Sequence, residues 1–371
     1  RLARNIESFL VSGAPDGDPT QRALANQVLD QWRNGARRTV CGDIDQSTRE
    51  SRYDLELQDT LSLSDNLRLV SGLNYRYDRA DSETYFNGTL DDTTWRAFGQ
   101  LEWRASEHWL LQGGAMFEDT QLIGSSLSPR MADNYLINRR RGLRAVYSQA
   151  VRSPDMFENN VNWSYQVTHL QPGAYGQSSA RYFVKTRGPG DLDQEHMRSR
   201  ELGYNGYFAE SGLAVDVKLF YDEITGMISE PLRNNQYIAS NANSARYTGA
   251  ETQLDWKFSS ADRLRLTYAY VDADASNLQD AQQTAGNSGS PAWLRDWGDG
   301  WNSALFYYAD DALNGYRFER LDTRIARRIR LGKTHLELAG VLQQRLDNQP
   351  TSFVDNNYDE RRMMYFSAQL Q

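Results

Sequence analysis

The chain has 371 residues, a formal net charge of -8, 39% hydrophobic residues and 24% charged residues. Its aromatic share of 12%, with 21 Tyr and 9 Trp, excludes a disordered chain, because disordered chains are poor in aromatic residues. The sequence has no apolar run of about 18 residues, which excludes a transmembrane helix. A single cysteine, Cys41, excludes an internal disulfide and a cysteine-based metal site, and the negative charge argues against nucleic acid as a partner.

The first predicted elements lie before residue 51. Residues 1–10 are read as the end of a strand, and residues 11–50 as a long connection. Within that connection Pro19–Gly35 is predicted as a short helix, because apolar residues recur at helical spacing. These residues are Leu24, Val28, Leu29 and Trp32.

From Tyr53 onward the predicted elements are strands, identified by period-two alternation of apolar and polar residues. The segment 53–63 alternates in this way, and 67–78 repeats the pattern. Successive side chains of a strand point to opposite faces, so each segment has one apolar face and one polar face. Similar segments occupy 93–104, 107–119, 124–136, 140–151, 198–210, 211–225, 245–259, 262–275, 300–309, 317–330, 333–345 and 361–371, with a weaker one at 291–297. With residues 1–10 they make about sixteen strands, of a length that suits a tilted crossing of a bilayer.

The connections between these strands alternate between tight and long. Tight ones include Ser64-Asp65 and Leu331-Gly332, and the longest are 11–50 and 152–197. Short periplasmic turns and long extracellular loops are typical of a barrel in a bacterial outer membrane, whereas a soluble β-sandwich lacks this asymmetry. The predicted fold class is therefore all-β, a transmembrane antiparallel β-barrel.

The chain also contains sequence motifs in a definite order. They are Leu127-Ser128-Pro129-Arg130, the strand from Leu143 to Pro154, Phe157-Glu158, Arg198 to Tyr204, Phe220 to Ile228, Tyr247 to Glu251, Arg320 to Arg324, and Tyr365-Phe366 with Leu370. In order and spacing, these motifs resemble the barrel of TonB-dependent receptors over about residues 50 to 371. Two positions depart from the family pattern. Gln344 to Asp347 stands where the family has Asn-Leu-Phe-Asp, and Gln371 stands where an aromatic residue is usual.

The resemblance implies a barrel of about twenty-two strands, within the size range of such barrels, preceded by a plug domain and a short TonB-contacting segment. Only the later part of such a barrel is recognised here. An open sheet edge in lipid is costly, because its backbone groups have no hydrogen-bonding partner. We therefore expect further strands before Arg1 or from elsewhere.

Two sets of residues are candidates for function. Charged residues on the polar strand faces are expected to face the lumen or the plug, unless they only brace neighbouring strands: Arg68, Arg76, Arg96, Glu102, Glu251 and Asp255. Aromatic and His residues of the long connections are expected to contact a bulky ligand, unless they only pack the loops: Trp163, Tyr165, His169, Tyr175, Tyr182 and Tyr237. No His spacing suits a metal site and no catalytic motif occurs, so neither a resident metal, nor a cofactor, nor an enzymatic activity is expected.

The function implied by the resemblance is that of a receptor and transporter in the cell outer membrane. It would bind a scarce solute, foremost a ferric siderophore or other metal chelate, and import it to the periplasm with energy supplied by TonB. The implied partners are outer-membrane lipid and lipopolysaccharide, the protein's own plug domain, TonB, and the small-molecule ligand. A passive diffusion porin without a plug, which is a different class of protein, stays open as an alternative, and a soluble all-β carbohydrate-binding protein is a third possibility.

Overall fold

The computed structural model describes residues 19–34, 41–173, 177–229, 238–313, 316–347 and 360–370. Three helices occur in these ranges: α1 Pro19–Arg33, α2 Met156–Asn160 and α3 Leu278–Gln282. The strands are β1 Cys41–Ile44, β2 Arg49–Ser64, β3 Leu67–Ser82, β4 Gly88–Arg104, β5 Trp109–Thr120, β6 Gly124–Asn138, β7 Arg141–Arg152, β8 Asn162–Gln171, β9 Ala180–Arg187, β10 Glu195–Phe208, β11 Leu213–Met227, β12 Asn243–Trp256, β13 Asp262–Ala275, β14 Asn287–Gly298, β15 Trp301–Leu313, β16 Tyr316–Leu331, β17 Thr334–Arg345 and β18 Arg362–Leu370.

Fifteen of the strands form one antiparallel sheet in which each strand pairs with the next along the chain. The single exception is β7, which pairs with β10 because β8 and β9 belong to a separate three-stranded sheet with β1. These fifteen strands match the predicted segments one for one. The remaining predicted strand, at 1–10, lies outside the described residues.

The main sheet has one apolar and one polar face, as the alternation predicts. Leu55, Leu57 and Leu73 are 62%, 68% and 60% exposed, although large apolar side chains of a soluble sandwich are buried. The buried hydrophobic residues on the described main-sheet strands are all alanines: Ala80, Ala132, Ala245, Ala292, Ala304, Ala326 and Ala339. The sheet therefore has no dry apolar core between two layers, which argues against the soluble alternative.

The two edges at which the strands are connected differ strongly. At one edge, here called the short-turn rim, the connections are 65–66, 105–108, 139–140, 209–212, 257–261, 299–300 and 332–333. At the other, the long-loop rim, they include 83–87, 121–123, 153–194, 228–242, 276–286 and 346–361. Five of the seven exposed tryptophans on the described strands lie beside the short-turn rim: Trp103, Trp109, Trp256, Trp297 and Trp301, whereas Trp95 and Trp293 lie further along their strands.

The connection between β7 and β10, which the sequence analysis treats as a loop, contains α2, β8 and β9. Strands β8 and β9 are not predicted from the sequence, because they pair with each other and with β1 in a separate sheet and do not contribute to the two faces of the main sheet. A small apolar core supports this folded loop: Val161, Leu192, Ile228 and Ala239, packed against Phe157 and Trp163. Helix α1 lies where the sequence predicts a helix, with Ala25 and Leu29 buried.

Candidate functional site

The folded loop begins with a tightly capped turn at the end of β7. Asp155 is the N-cap of α2: its side chain accepts the backbone N–H of Glu158, and the Glu158 side chain accepts the backbone N–H of Asp155 in return. This reciprocal capping box satisfies backbone donors that a helix start otherwise leaves free. It fixes the direction in which the chain leaves the main sheet.

Arg152 joins this turn to two other segments of the long-loop rim. Its guanidinium donates to the carboxylates of Glu158 and Glu195, with N–O distances of 2.9 Å and 2.6 Å. Glu195 also accepts the backbone N–H of Ile228 at 2.6 Å. One side chain therefore connects the end of β7, helix α2, the start of β10 and the segment that follows β11.

Aromatic rings form a row through the folded loop. Tyr85, from the connection between β3 and β4, lies 5.2 Å from Trp163 between ring centroids, in an edge-on arrangement. Trp163 lies 5.9 Å from Tyr165, which stacks on Tyr182 at 6.3 Å. Such offset and edge-on pairs stabilise packing beyond the area that they bury. Tyr182 ends the row and is 61% exposed.

Hydrogen bonds hold the folded loop to the connection between β3 and β4. The backbone N–H groups of Asn162 and Ser164 donate to the carbonyls of Tyr85 and Thr84, each at 2.8 Å. The hydroxyl of Ser164, which is fully buried, donates to the side-chain oxygen of Asn87 at 2.9 Å. The folded loop is thus fixed onto the main sheet rather than free to swing.

The connection between β1 and β2 docks at the same place. The Thr84 hydroxyl donates to the carbonyl of Asp45, and the Ser82 hydroxyl to the carbonyl of Ser47 at 3.0 Å. Hydrogen bonds from the side chain and backbone of Ser47 hold the pKa of Asp45 below its ordinary value. The carboxylate of Asp45 is therefore ionised at neutral pH.

Under α2, the polar face of β2–β5 and the end of β7 border an open cavity of about 720 Å³. Pro154, Met156 and Phe157 line it from the folded loop. Its charged lining residues are Glu50, Arg52, Arg76, Asp78, Arg79, Asp92, Arg96, Glu118, Arg152 and Asp155. Of these, only Arg76 and Arg96 are among the residues predicted to face the lumen or the plug. The others could have been found from the sequence, because they are charged residues near the ends of strands that meet at a single rim.

A row of hydrogen bonds runs from the folded loop across the polar face below this cavity. Gln194 donates to the Ser153 hydroxyl at 3.1 Å, and that hydroxyl lies 3.3 Å from a carboxylate oxygen of Glu118. Arg96 donates to the other oxygen of Glu118 at 2.5 Å and to Asn74 at 3.2 Å. The folded loop and the wall of the sheet therefore share one polar network.

Each residue predicted to face the lumen or the plug is in an ion pair. Arg68 pairs with Glu102 at 3.2 Å, and Arg96 with Glu118. The others pair with neighbours on the same face: Arg76 with Asp78, Glu251 with Lys218, and Asp255 with Arg263 and Arg265. This pairing is what bracing of strands requires, and the lumen or plug role of the six stays a prediction.

The predicted ligand contacts lie in different surroundings. Trp163 packs against the small core of the folded loop, and Tyr165 and Tyr182 continue the aromatic row. His169 lies apart from that row and pairs with Asp43 at 2.9 Å, both side chains being 79% exposed. Tyr175 and Tyr237 lie outside the described residues. Contact of these residues with a ligand stays a prediction.

No group of three or more His, Cys, Asp or Glu side chains in the described ranges has the geometry of a metal site. None of the described helices has the length and apolarity that a membrane crossing requires.

The fold and the rims are those of a class, the wall of an antiparallel β-barrel with elaborated loops at one end; among the described residues β2 and β18 are the two edges of the sheet. The family model described as TonB dependent receptor-like, beta-barrel, matches residues 9–332. The chain therefore belongs to the TonB-dependent receptor β-barrel family. No curated protein sequence matches the chain.

Solved structures show the same fold at low sequence identity. A variant of the ferric enterobactin receptor PfeA from Pseudomonas aeruginosa is 15% identical, with a TM-score of 0.60 over 80% of this chain and 48% of that chain. The siderophore receptor PirA from Acinetobacter baumannii is 13% identical, with a TM-score of 0.62 over 87% of this chain and 54% of that chain. The copper transporter OprC is 16% identical, with a TM-score of 0.59 over 80% of this chain and 50% of that chain. This chain thus spans about half the length of the structures that it matches, and the likeness shows the fold alone.

Proposed function

We propose that the chain forms barrel wall and external loops of an outer-membrane receptor that binds a metal chelate and admits it to the periplasm with energy supplied through TonB. The exposed apolar face would lie against hydrocarbon, and the ion-paired polar face against water and a plug domain. The long-loop rim would face the medium and the short-turn rim the periplasm, as in outer-membrane barrels generally.

The observation that carries this proposal is the opposition of the two faces of the main sheet. Rows of exposed leucines end in a band of tryptophans at the short-turn rim, as expected where a bilayer meets water. The other face presents ion pairs such as Lys218 with Glu251 at 2.9 Å. Lipid and lipopolysaccharide are accordingly the partners proposed for the apolar face.

The ligand class follows from similarity rather than from geometry. The solved structures of similar fold include a ferric enterobactin receptor, a siderophore receptor and a copper transporter. We extend from them only the coarse class, a metal chelate or metal ion. The cavity under α2, with its aromatic neighbours, is the proposed place of capture, and no catalytic role is proposed.

Uptake of labelled ferric chelates into cells that carry the intact receptor gene tests this function. We expect energy-dependent accumulation that is lost when TonB is deleted. Accumulation that is unchanged without TonB, together with steady ion conductance of the purified protein in planar bilayers, would instead identify a passive porin.

A further inference from the structure

Positive and negative residues line the cavity under α2 in equal number, but the arginines are all in ion pairs and some of the carboxylates are not. Five arginines and five acidic residues line it. Each arginine has a carboxylate within 4.0 Å, the distances being 2.5 Å for Arg52–Asp78, 2.7 Å for Arg76–Asp78, 3.8 Å for Arg79–Asp91 and 2.5 Å for Arg96–Glu118. Arg152 has two partners, Glu158 and Glu195, neither of which lines the cavity. Arg52 and Arg76 share Asp78, but Arg152 has two carboxylates, so the five arginines together have five carboxylate partners and their charge is balanced.

Three of the lining carboxylates form no ion pair within the described ranges: Glu50, Asp92 and Asp155. Asp78 and Glu118 are ion-paired. Asp155 accepts a backbone N–H of α2, and Asp92 accepts the backbone N–H of Leu122 at 3.2 Å. A backbone N–H satisfies a carboxylate oxygen but does not cancel its charge. With the partners Asp91, Glu158 and Glu195 included, eight carboxylates of the described residues surround five arginines, so negative charge is in excess.

A second cavity on the polar face has the same balance. It has a volume of about 550 Å³ and lies between β7 and β16. Its basic lining residues, Arg144 and Lys218, pair with Asp216 at 3.6 Å and Glu251 at 2.9 Å. Asp310, which also lines it, has no ion-pair partner among the described residues. In two separate parts of the polar face, therefore, every basic lining residue is in an ion pair, and at least one lining carboxylate has no ion-pair partner among the described residues.

We propose that this receptor selects chelates that carry no net negative charge, and that the carboxylates of Glu50 and Asp92, which are not ion-paired in the described ranges, reject anionic ones. This inference rests on the proposed function. An anion in the cavity would have to break an existing arginine–carboxylate pair or sit near unpaired carboxylates, and both raise its free energy. A neutral or cationic chelate meets neither cost, because its charge is not opposed by the cavity walls.

Two ferric complexes of similar size separate these cases. In a ferric trihydroxamate three singly charged ligand groups balance the ferric ion, so that the complex is neutral. In a ferric tricatecholate three doubly charged groups leave a large net negative charge. Binding of each to the full-length receptor, purified in detergent, would be measured by isothermal titration calorimetry. We expect the neutral complex to bind at least about tenfold more tightly, a difference of about 1.4 kcal/mol.

Ionic strength gives a second readout of the same mechanism. If carboxylates repel the anionic complex, added salt screens the repulsion and its Kd falls, while the Kd of the neutral complex changes little. A Kd of the anionic complex that rises with salt would indicate attraction and would overturn the proposal.

A double variant, Glu50→Gln with Asp92→Asn, tests the residues themselves. Asparagine keeps the acceptor for the N–H of Leu122, so the fold of that connection is retained. We expect the ratio of the two Kd values to shift severalfold toward the anionic complex. The matched control is Asp65→Asn with Glu107→Gln, which removes the same charge at the short-turn rim and should leave the ratio as in the wild type.

The outcomes separate this inference from the proposed function. Equal or tighter binding of the anionic complex, or an unchanged ratio in the double variant, overturns the charge selection and leaves the receptor function standing. Failure of both complexes to bind contradicts the proposed class of ligand and the charge selection with it.

Discussion

Arg152 makes more contacts at the long-loop rim than its position at a strand end would suggest. Its two carboxylate partners come from α2 and β10, and all its guanidinium nitrogens donate. Bidentate arginine–carboxylate pairs are the stronger kind of ion pair, because geometry and charge act together. The side chain is 45% exposed, so solvent screening reduces the free energy that each pair contributes.

Replacing Arg152 by alanine should loosen the folded loop without unfolding the sheet. We expect a local loss of about 1 kcal/mol, since the pairs are partly screened. Hydrogen exchange of β8 and β9 should then be faster by about fivefold, because 1.4 kcal/mol corresponds to a factor of ten.

The control for this variant is Arg198→Ala. Arg198 is exposed on the neighbouring strand and pairs with no acidic side chain in the described ranges. Equal exchange of the folded loop in both variants would show that Arg152 does not hold it.

The turns of the short-turn rim depend on particular glycines. Gly300 has a φ of 78°, and a Cβ there would lie 2.2 Å from the carbonyl oxygen of Arg328 on the next strand. Gly332 has a φ of 64° in an equivalent turn, but a Cβ there would meet nothing within 4 Å. The two positions share the left-handed backbone and differ only in the clash.

Gly300→Ala should therefore destabilise the protein more than Gly332→Ala. Left-handed backbone costs a residue with a Cβ about 1–2 kcal/mol in either variant. The clash at Gly300 should add about 1–3 kcal/mol, as overpacking does elsewhere. Urea midpoints of the protein in vesicles would measure both effects, and equal midpoints would mean that the hairpin moves freely away from the added methyl.

The turn between β6 and β7 reports the orientation of the barrel. It carries consecutive arginines, Arg139, Arg140 and Arg141, which are exposed sites for trypsin. In intact cells we expect trypsin to spare this turn, since it would face the periplasm, and to cut at exposed sites of the other rim such as Arg187 or Arg361. After the outer membrane is permeabilised, cleavage at 139–141 should appear. Cleavage there in intact cells would reverse the proposed orientation.

At the scale of elements, the sequence predicts the strands of the main sheet and misses the strands of the folded loop. All fifteen main-sheet strands follow from the alternation of apolar and polar residues, because the sheet has one apolar and one polar face. Strand β14 gives the weakest signal, since small residues at 287–292 blur the alternation. Strands β8 and β9 have no such constraint, so their sequence does not distinguish them from loop.

The candidate site was harder to predict because it depends on register. Arg96 and Glu118 are 22 residues apart and meet only because β4 and β5 pair in one particular register. A slip of one residue would send every side chain to the other face. Alternation places a charge on a face, but only the pairing of strands identifies its partner. The cavity under α2 combines β2–β5 with the end of β7, which no local pattern reveals.

At the scale of the whole molecule, the medium around the apolar face decides stability. Leu202 lies in the middle of β10 and is 62% exposed. In a soluble protein an exposed leucine can be replaced by arginine with a change within about 0.5 kcal/mol. On a lipid-facing strand near the middle of the bilayer the same change should cost about 2–4 kcal/mol, because the guanidinium loses its hydration.

Leu202→Arg therefore tests whether the apolar face lies in lipid. The matched variant is Asn205→Arg, which adds the same side chain to the exposed polar face of the same strand and should cost much less. Free energies of unfolding measured in lipid vesicles should differ between the two variants by at least about 2 kcal/mol, the low end of the cost in lipid. If Leu202→Arg is as stable as Asn205→Arg, the leucine rows do not face hydrocarbon, and both the orientation and the transport function proposed above lose their physical basis.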